Sequence, residues 1–132
     1  MLIKVNQLTK KFGPFLAVDN ISFNLDRGEV LGFLGPNGAG KTTTMRMITG
    51  FLPPTSGNVL ISGLNIQEFP IVTKKKIGYV PEGAPLYGEM TVLKFLKFIF
   101  NLRNNKELND KELVYNAIEK LGLEEVLYQQ IE

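Results

Sequence analysis

The 132-residue sequence has no cysteine, no histidine and no tryptophan. Without cysteine there is no disulfide, no thiolate metal ligand and no thiol nucleophile. Without histidine there is neither a Ser-His-Asp triad nor imidazole acid-base chemistry. Catalysis is therefore left to carboxylate, lysine, hydroxyl, backbone N–H or a bound metal. No apolar run approaches the roughly 18–20 residues of a membrane helix, and Met1-Leu2-Ile3-Lys4 does not open a signal peptide, so a cytoplasmic chain is expected. An excess of charge is missing too. Lys and Arg number 15 against 13 Asp and Glu, for a net charge of +2, which calls for neither nucleic acid nor an anionic membrane as partner.

What is present falls into a strand-rich first part and a helical last part. Ile3, Val5 and Leu8 recur at near-alternating positions, and Ile21, Phe23 and Leu25 alternate strictly with polar residues, so residues 2–34 read as strands. Gly13-Pro14 and Asp26-Arg27-Gly28 punctuate them. Val30 to Leu34 is apolar throughout, as in a strand covered on both faces, and Ile77 to Val80 reads as a second short core strand stopped by Pro81. Lys41 to Thr49 turns helical and ends at Gly50. Residues 58–61 and 64–66 form a predicted hairpin around Ser62-Gly63. Thr91 can cap a helix running to about Leu102. Asn109-Asp110-Lys111-Glu112 is a capping box for another, in which Val114, Ala117, Ile118 and Leu121 share one face before Gly122.

Between the apolar strand and the first helix stands Gly35-Pro36-Asn37-Gly38-Ala39-Gly40-Lys41-Thr42, which fits G-x-x-x-x-G-K-[ST] at every fixed position. The glycines allow successive N–H groups to turn inward around a phosphate. The helix that follows adds unpaired N–H groups and the positive end of its dipole. Lys41 reaches the β- and γ-phosphates, Thr42 offers its hydroxyl to Mg²⁺, and Thr43 is next in line for a phosphate oxygen.

A wider pattern surrounds this loop. Leu8-Thr9-Lys10-Lys11-Phe12-Gly13, Ala17-Val18-Asp19-Asn20-Ile21-Ser22-Phe23, Gly28 through Thr43, Leu52-Pro53-Pro54-Thr55-Ser56-Gly57 and Ile77-Gly78-Tyr79-Val80-Pro81-Glu82 follow in an order that resembles the ATP-binding subunits of ABC transporters. Within that family the text looks most like subunits serving ABC-2-type exporters, including the gliding-motility group. The resemblance implies an α/β fold: a P-loop NTPase core with an antiparallel β-subdomain and the start of a helical subdomain, truncated. It divides the chain into an ATP-binding core over 1–90 and the beginning of a helical subdomain over 91–132.

The resemblance also implies that Phe12 stacks on adenine with Val18 beside the base or ribose; read from the residues alone, Phe12 would be tucked into the core. It implies that Glu82, where the family commonly has glutamine, contacts Mg²⁺ and the attacking water, although a solvent-facing charge after Pro81 reads equally well on sequence alone. ATP and Mg²⁺ are the implied cofactors. The implied partners are a membrane-spanning subunit and a second copy of the ATP-binding subunit, with the chain held peripherally at the inner face of the membrane. On a helical wheel the apolar residues of 91–103 spread over roughly 220°, wider than one-sided burial needs. Phe98 and Leu102 are the surplus, and with Gly83–Met90 they are expected to form part of the groove for the membrane partner.

Three family features are missing from the sequence: the signature motif, an apolar strand ending in Asp-Glu, and the switch histidine. The expectation is an N-terminal piece of a longer subunit that binds ATP without turning it over. Two alternatives stand beside it, a small P-loop phosphotransferase and a nucleotide-dependent adaptor. Only Arg27, Arg46 and Arg103 are available to hold a second phosphorylated substrate, and none lies in an obvious lid. Asn105-Lys106-Glu107-Leu108 nearly matches a guanine-reading N-K-x-D but has leucine at the aspartate position. Lys74-Lys75-Lys76 reads as a solvated face.

Overall fold

The computed structural model describes residues 1–83, 86–103 and 110–131, and the chain forms two compact units, Met1–Tyr79 and Val80–Glu132. In the first unit, β1 (Ile3–Phe12) and β2 (Phe15–Leu25) make a hairpin turned at Gly13-Pro14. They join β3 (Ser56–Ile61) and β4 (Leu64–Asn65) in an antiparallel sheet of order β2-β1-β3-β4. The apolar spacing along β1 shifts from two to three between Val5 and Leu8. A bulge with Gln7 at φ 45° absorbs the extra residue, so both side chains reach the same core. Helix α1 (Lys41–Ile48) packs Met47 and Ile48 against that face, completing a core with Val5, Leu8, Val59 and Ile61. It ends in a Schellman motif. Gly50 lies at φ 72°, its N–H donates to the Met47 carbonyl at 3.1 Å, and the Phe51 N–H donates to the Arg46 carbonyl at 2.8 Å.

Two expectations fail in this unit. Neither Val30 to Leu34 nor Ile77 to Val80 forms a strand. A strand is a pairwise structure, and the sheet of the described strands, in the order β2-β1-β3-β4, includes neither segment. Val30 and Leu34 are accordingly 98% exposed, while Phe33 keeps an edge-on contact with Phe23 at 5.4 Å. The short helix α2 (Pro70–Lys74) was not anticipated; proline at its first turn and the Thr73 hydroxyl bonded to the Phe69 carbonyl at 2.7 Å hold it.

The second unit contains α3 (Val92–Arg103), α4 (Asp110–Leu121) and a 3-10 turn over Glu124–Val126. Thr91 caps α3 as expected, its hydroxyl accepting the Lys94 N–H at 3.4 Å. Helix α4 ends at Gly122 in a second Schellman motif, with Leu123 N–H bonded to the Ile118 carbonyl at 3.1 Å. Val114 and Ile118 are buried. The capping box at Asn109 and the Asn105–Leu108 near-match lie outside the described residues, as does part of the Gly83–Met90 segment.

Candidate functional site

The glycine-rich loop joins the segment ending at Leu34 to α1. Gly38 and Gly40 both have φ of 83°, which strongly favours glycine, and Gly35 lies at 153°. Gly40 is the most constrained. A Cβ there would collide with the carbonyl oxygen of Ala17 and lie 3.1 Å from Val18 Cγ2. The last glycine of the loop is thus seated directly on β2, and this contact fixes where the helix begins. Gly40 is also the N-cap, in left-handed conformation and with no side chain capping the helix.

The loop leaves its donors open. The Ala39 N–H reaches the Pro36 carbonyl at 3.3 Å, and the Thr44 N–H starts the helical pattern on the Gly40 carbonyl at 2.8 Å. Among the described residues, the N–H groups of Gly38, Gly40, Lys41, Thr42 and Thr43 donate to no protein acceptor. No acidic side chain occupies the first turn of α1, so the positive end of its dipole is not offset. Lys41 curls back over the loop, and its Nζ donates to the carbonyl oxygens of Gly35 at 2.5 Å and Pro36 at 2.6 Å. An ammonium has three protons, so one remains for another acceptor. Backbone donors, a helix N-terminus and a lysine come together in this loop, which is the chemistry of a phosphate site.

The remaining predicted residues are distributed as follows. Pro36, Asn37 and Ala39 are exposed on the loop, Thr42 is exposed on the first turn of α1, and Thr43 is half-buried. Phe12 closes β1 opposite Phe15 and is 47% exposed, so it is not part of the core. Val18 is 6% exposed and belongs to the core beneath Gly40. Glu82 is exposed after Pro81, in the second unit. Lys10 escaped the sequence reading. Its Nζ lies 5.2 Å from the centroid of the Phe12 ring and donates to the Pro53 carbonyl at 2.7 Å. The signal that could have found it is the two-residue spacing to Phe12, which puts both side chains on one face of a strand.

Mg²⁺ demands hard oxygen ligands and commonly takes only one or two from protein, the others being phosphate oxygens and water. Thr42 and Glu82 offer such oxygens, and neither side chain is hydrogen-bonded to protein among the described residues. No cluster of three or more acidic side chains that would hold a cation unaided occurs among those residues.

The family model described as ABC transporter matches residues 18–132. The chain is 39% identical over 128 residues to the probable multidrug ABC transporter ATP-binding protein YbhF of Escherichia coli (strain K12), covering 95% of this chain and 22% of that protein. It is 36% identical over 124 residues to the SkfA peptide export ATP-binding protein SkfE of Bacillus subtilis (strain 168), covering 94% of this chain and 51% of that one. The chain therefore spans from about a fifth to about half of these relatives. Among solved structures, an ATP-binding subunit of an ABC transporter superimposes with a TM-score of 0.82 at 27% identity, over 98% of this chain and 54% of that one. The ATP-binding cassette MJ0796, in a dimeric post-hydrolysis state bound to ADP and Pi, gives 0.79 at 25% identity, over 98% and 61%. The α/β fold class read from the sequence stands on these neighbours.

Proposed function

The chain belongs to the ABC transporter ATP-binding family, and on that premise we propose that it is the ATP-binding part of a subunit that couples ATP binding and hydrolysis to transport across a membrane. The observation that carries this reading is the set of five unpartnered N–H groups beside the Lys41 ammonium. Residues Gly35 to Thr43 hold the phosphates, with Lys41 on the β- and γ-oxygens. Phe12 meets the adenine, and Val18 shapes the floor beneath Gly40. Thr42 and Glu82 are the residues whose oxygens would hold Mg²⁺, which would supply charge neutralisation at the phosphates.

The division into an ATP-binding core over 1–90 and a helical subdomain beginning at 91 is part of the same proposal. So are a second copy of the ATP-binding subunit, a membrane-spanning partner and a cytoplasmic location at the inner face of the membrane. Phe98 and the residues around Tyr87, whose rings meet edge-on at 5.8 Å, contribute to the surface for that membrane partner. The absence of an Asp-Glu strand end and of any histidine leaves this chain able to bind ATP but without the groups that organise hydrolysis.

Calorimetric titration of the 132-residue chain with ATP and Mg²⁺ tests the reading. Lys41→Ala removes a charge-assisted hydrogen bond of about 1.5–3 kcal/mol, so affinity falls roughly ten- to hundred-fold. Steady hydrolysis by the purified chain that Lys41→Ala abolishes would show that catalysis is organised by residues other than the missing ones. Absence of ATP binding by a folded chain would overturn the reading. Phosphoryl transfer to an acceptor would favour the phosphotransferase reading.

A further inference from the structure

We infer that Lys10 is a positioning residue for the base: it holds the Phe12 ring as a stacking platform and ties that platform to the segment leaving the phosphate-loop helix. The inference rests on the nucleotide reading above. Lys10 and Phe12 lie two residues apart on β1, on one face of the strand. Lys10 pairs across the hairpin with Val18, whose Cγ2 would lie 3.1 Å from a Cβ at Gly40. Its ammonium is fixed from two sides, by the Pro53 carbonyl at 2.7 Å and by the Phe12 ring at 5.2 Å. A cation over one ring face is attracted by the negative face of the π-system, so it restrains the ring while Phe12, 47% exposed, still offers area to a planar base.

Pro53 is not an arbitrary anchor. It belongs to the loop after α1, whose first residue is Lys41, and the same loop is stitched to the hairpin twice more. The Thr55 N–H donates to the Thr9 carbonyl at 2.8 Å, and the Lys11 N–H donates to the Thr55 hydroxyl at 3.0 Å. The Thr9 hydroxyl in turn accepts the Asn20 N–H at 3.0 Å. A continuous path of helix, loop and three cross-links therefore runs from the residues that face phosphate to the ring that faces the base. Phe12 is the last residue of β1, paired with Phe15, and Lys10 makes the position of its ring depend on α1 as well.

The experiment is a comparison of two ligands on the full 132-residue chain with Mg²⁺ present. ATP carries the base, and inorganic tripolyphosphate carries only the phosphates. Lys10→Met keeps most of the aliphatic stem and loses the charge, so ATP affinity is expected to fall about two- to five-fold while tripolyphosphate affinity is unchanged. Lys10→Arg restores ATP affinity, and in a Phe12→Ala background Lys10→Met has no further effect, because the two residues act as one unit. Lys10→Gln, which can still donate to Pro53 but lacks the charge, reproduces the loss and serves if the methionine variant folds poorly.

Equal loss for both ligands would make Lys10 a plain source of positive charge and overturn the inference. So would an ATP affinity indifferent to Lys10→Met and Lys10→Gln while sensitive to Phe12→Ala. Failure of the underlying reading looks different: the unsubstituted chain would not bind ATP, or Phe12→Ala would leave the ratio of the two affinities untouched.

Discussion

The two units of the chain solve burial in different ways. In Met1–Tyr79 a helix lies on a four-stranded sheet, and each partner covers the apolar face of the other. Val5, Leu8, Val18, Met47, Val59 and Ile61 all vanish from solvent. In Val80–Glu132 two amphipathic helices have chiefly each other. Among the described residues only Val114 and Ile118 are buried there, and an apolar cleft of about 340 Å³ lies between Phe95, Ile99, Leu113 and their neighbours. The difference teaches where a precise site can be built. The phosphate loop is seated on a sheet whose register is fixed by long-range pairing, so its donors are held in place before any ligand arrives. In the second unit the long-range backbone bonds among the described residues tie the start of α3 to residues 127–131 and leave the two helices to side-chain packing.

The comparison can be broken by core truncation. Leu8→Ala should destabilise the first unit by about 2–5 kcal/mol, because its neighbours on the sheet cannot collapse into the gap. Ile118→Ala should cost about 2 kcal/mol or less, since the helices can close over an existing cleft. Urea unfolding read by amide exchange in each unit measures both, and equal losses would mean that the second unit is packed as tightly as the first.

Next in size is Gly40→Ala. A side chain at φ 83° against the Ala17 carbonyl should cost about 1–3 kcal/mol of strain and weaken ATP binding with it. A fully stable Gly40→Ala chain would mean that the loop is not seated on β2. The smallest effect is expected in the second unit, where Phe98→Leu removes the edge-on contact with Tyr87 and should cost only about 0.5–1.5 kcal/mol. A larger loss would reveal that the aromatic pair is the real core of that unit.

These differences track what the sequence discloses. The phosphate loop was legible because its chemistry is local: glycine for backbone angle, lysine for charge, threonine for oxygen, all within eight residues. The helix ends at Gly50 and Gly122 were legible for the same reason, since a Schellman motif is written in one turn. The bulge at Gln7 was not, because only the partner strand decides which side the chain must recover. Val30 to Leu34 misled for the converse reason. An apolar run states a preference for burial, while pairing depends on a neighbour that the run itself does not supply. Lys10 was overlooked because its two anchors are 43 residues apart in one case and two in the other, and only the fold joins them.

Gly57 closes the first unit in a way that reaches beyond packing. At φ 82° it lies so close to β1 that a Cβ would strike the carbonyl oxygens of both Asn6 and Gln7. The seam between β1 and β3 therefore tolerates no side chain at this point, whatever its chemistry. In the language of heredity, the alignment of two distant strands is guarded by one codon, and nearly every missense change there is expected to be purged for its effect on the sheet, long before its effect on nucleotide binding is put to use.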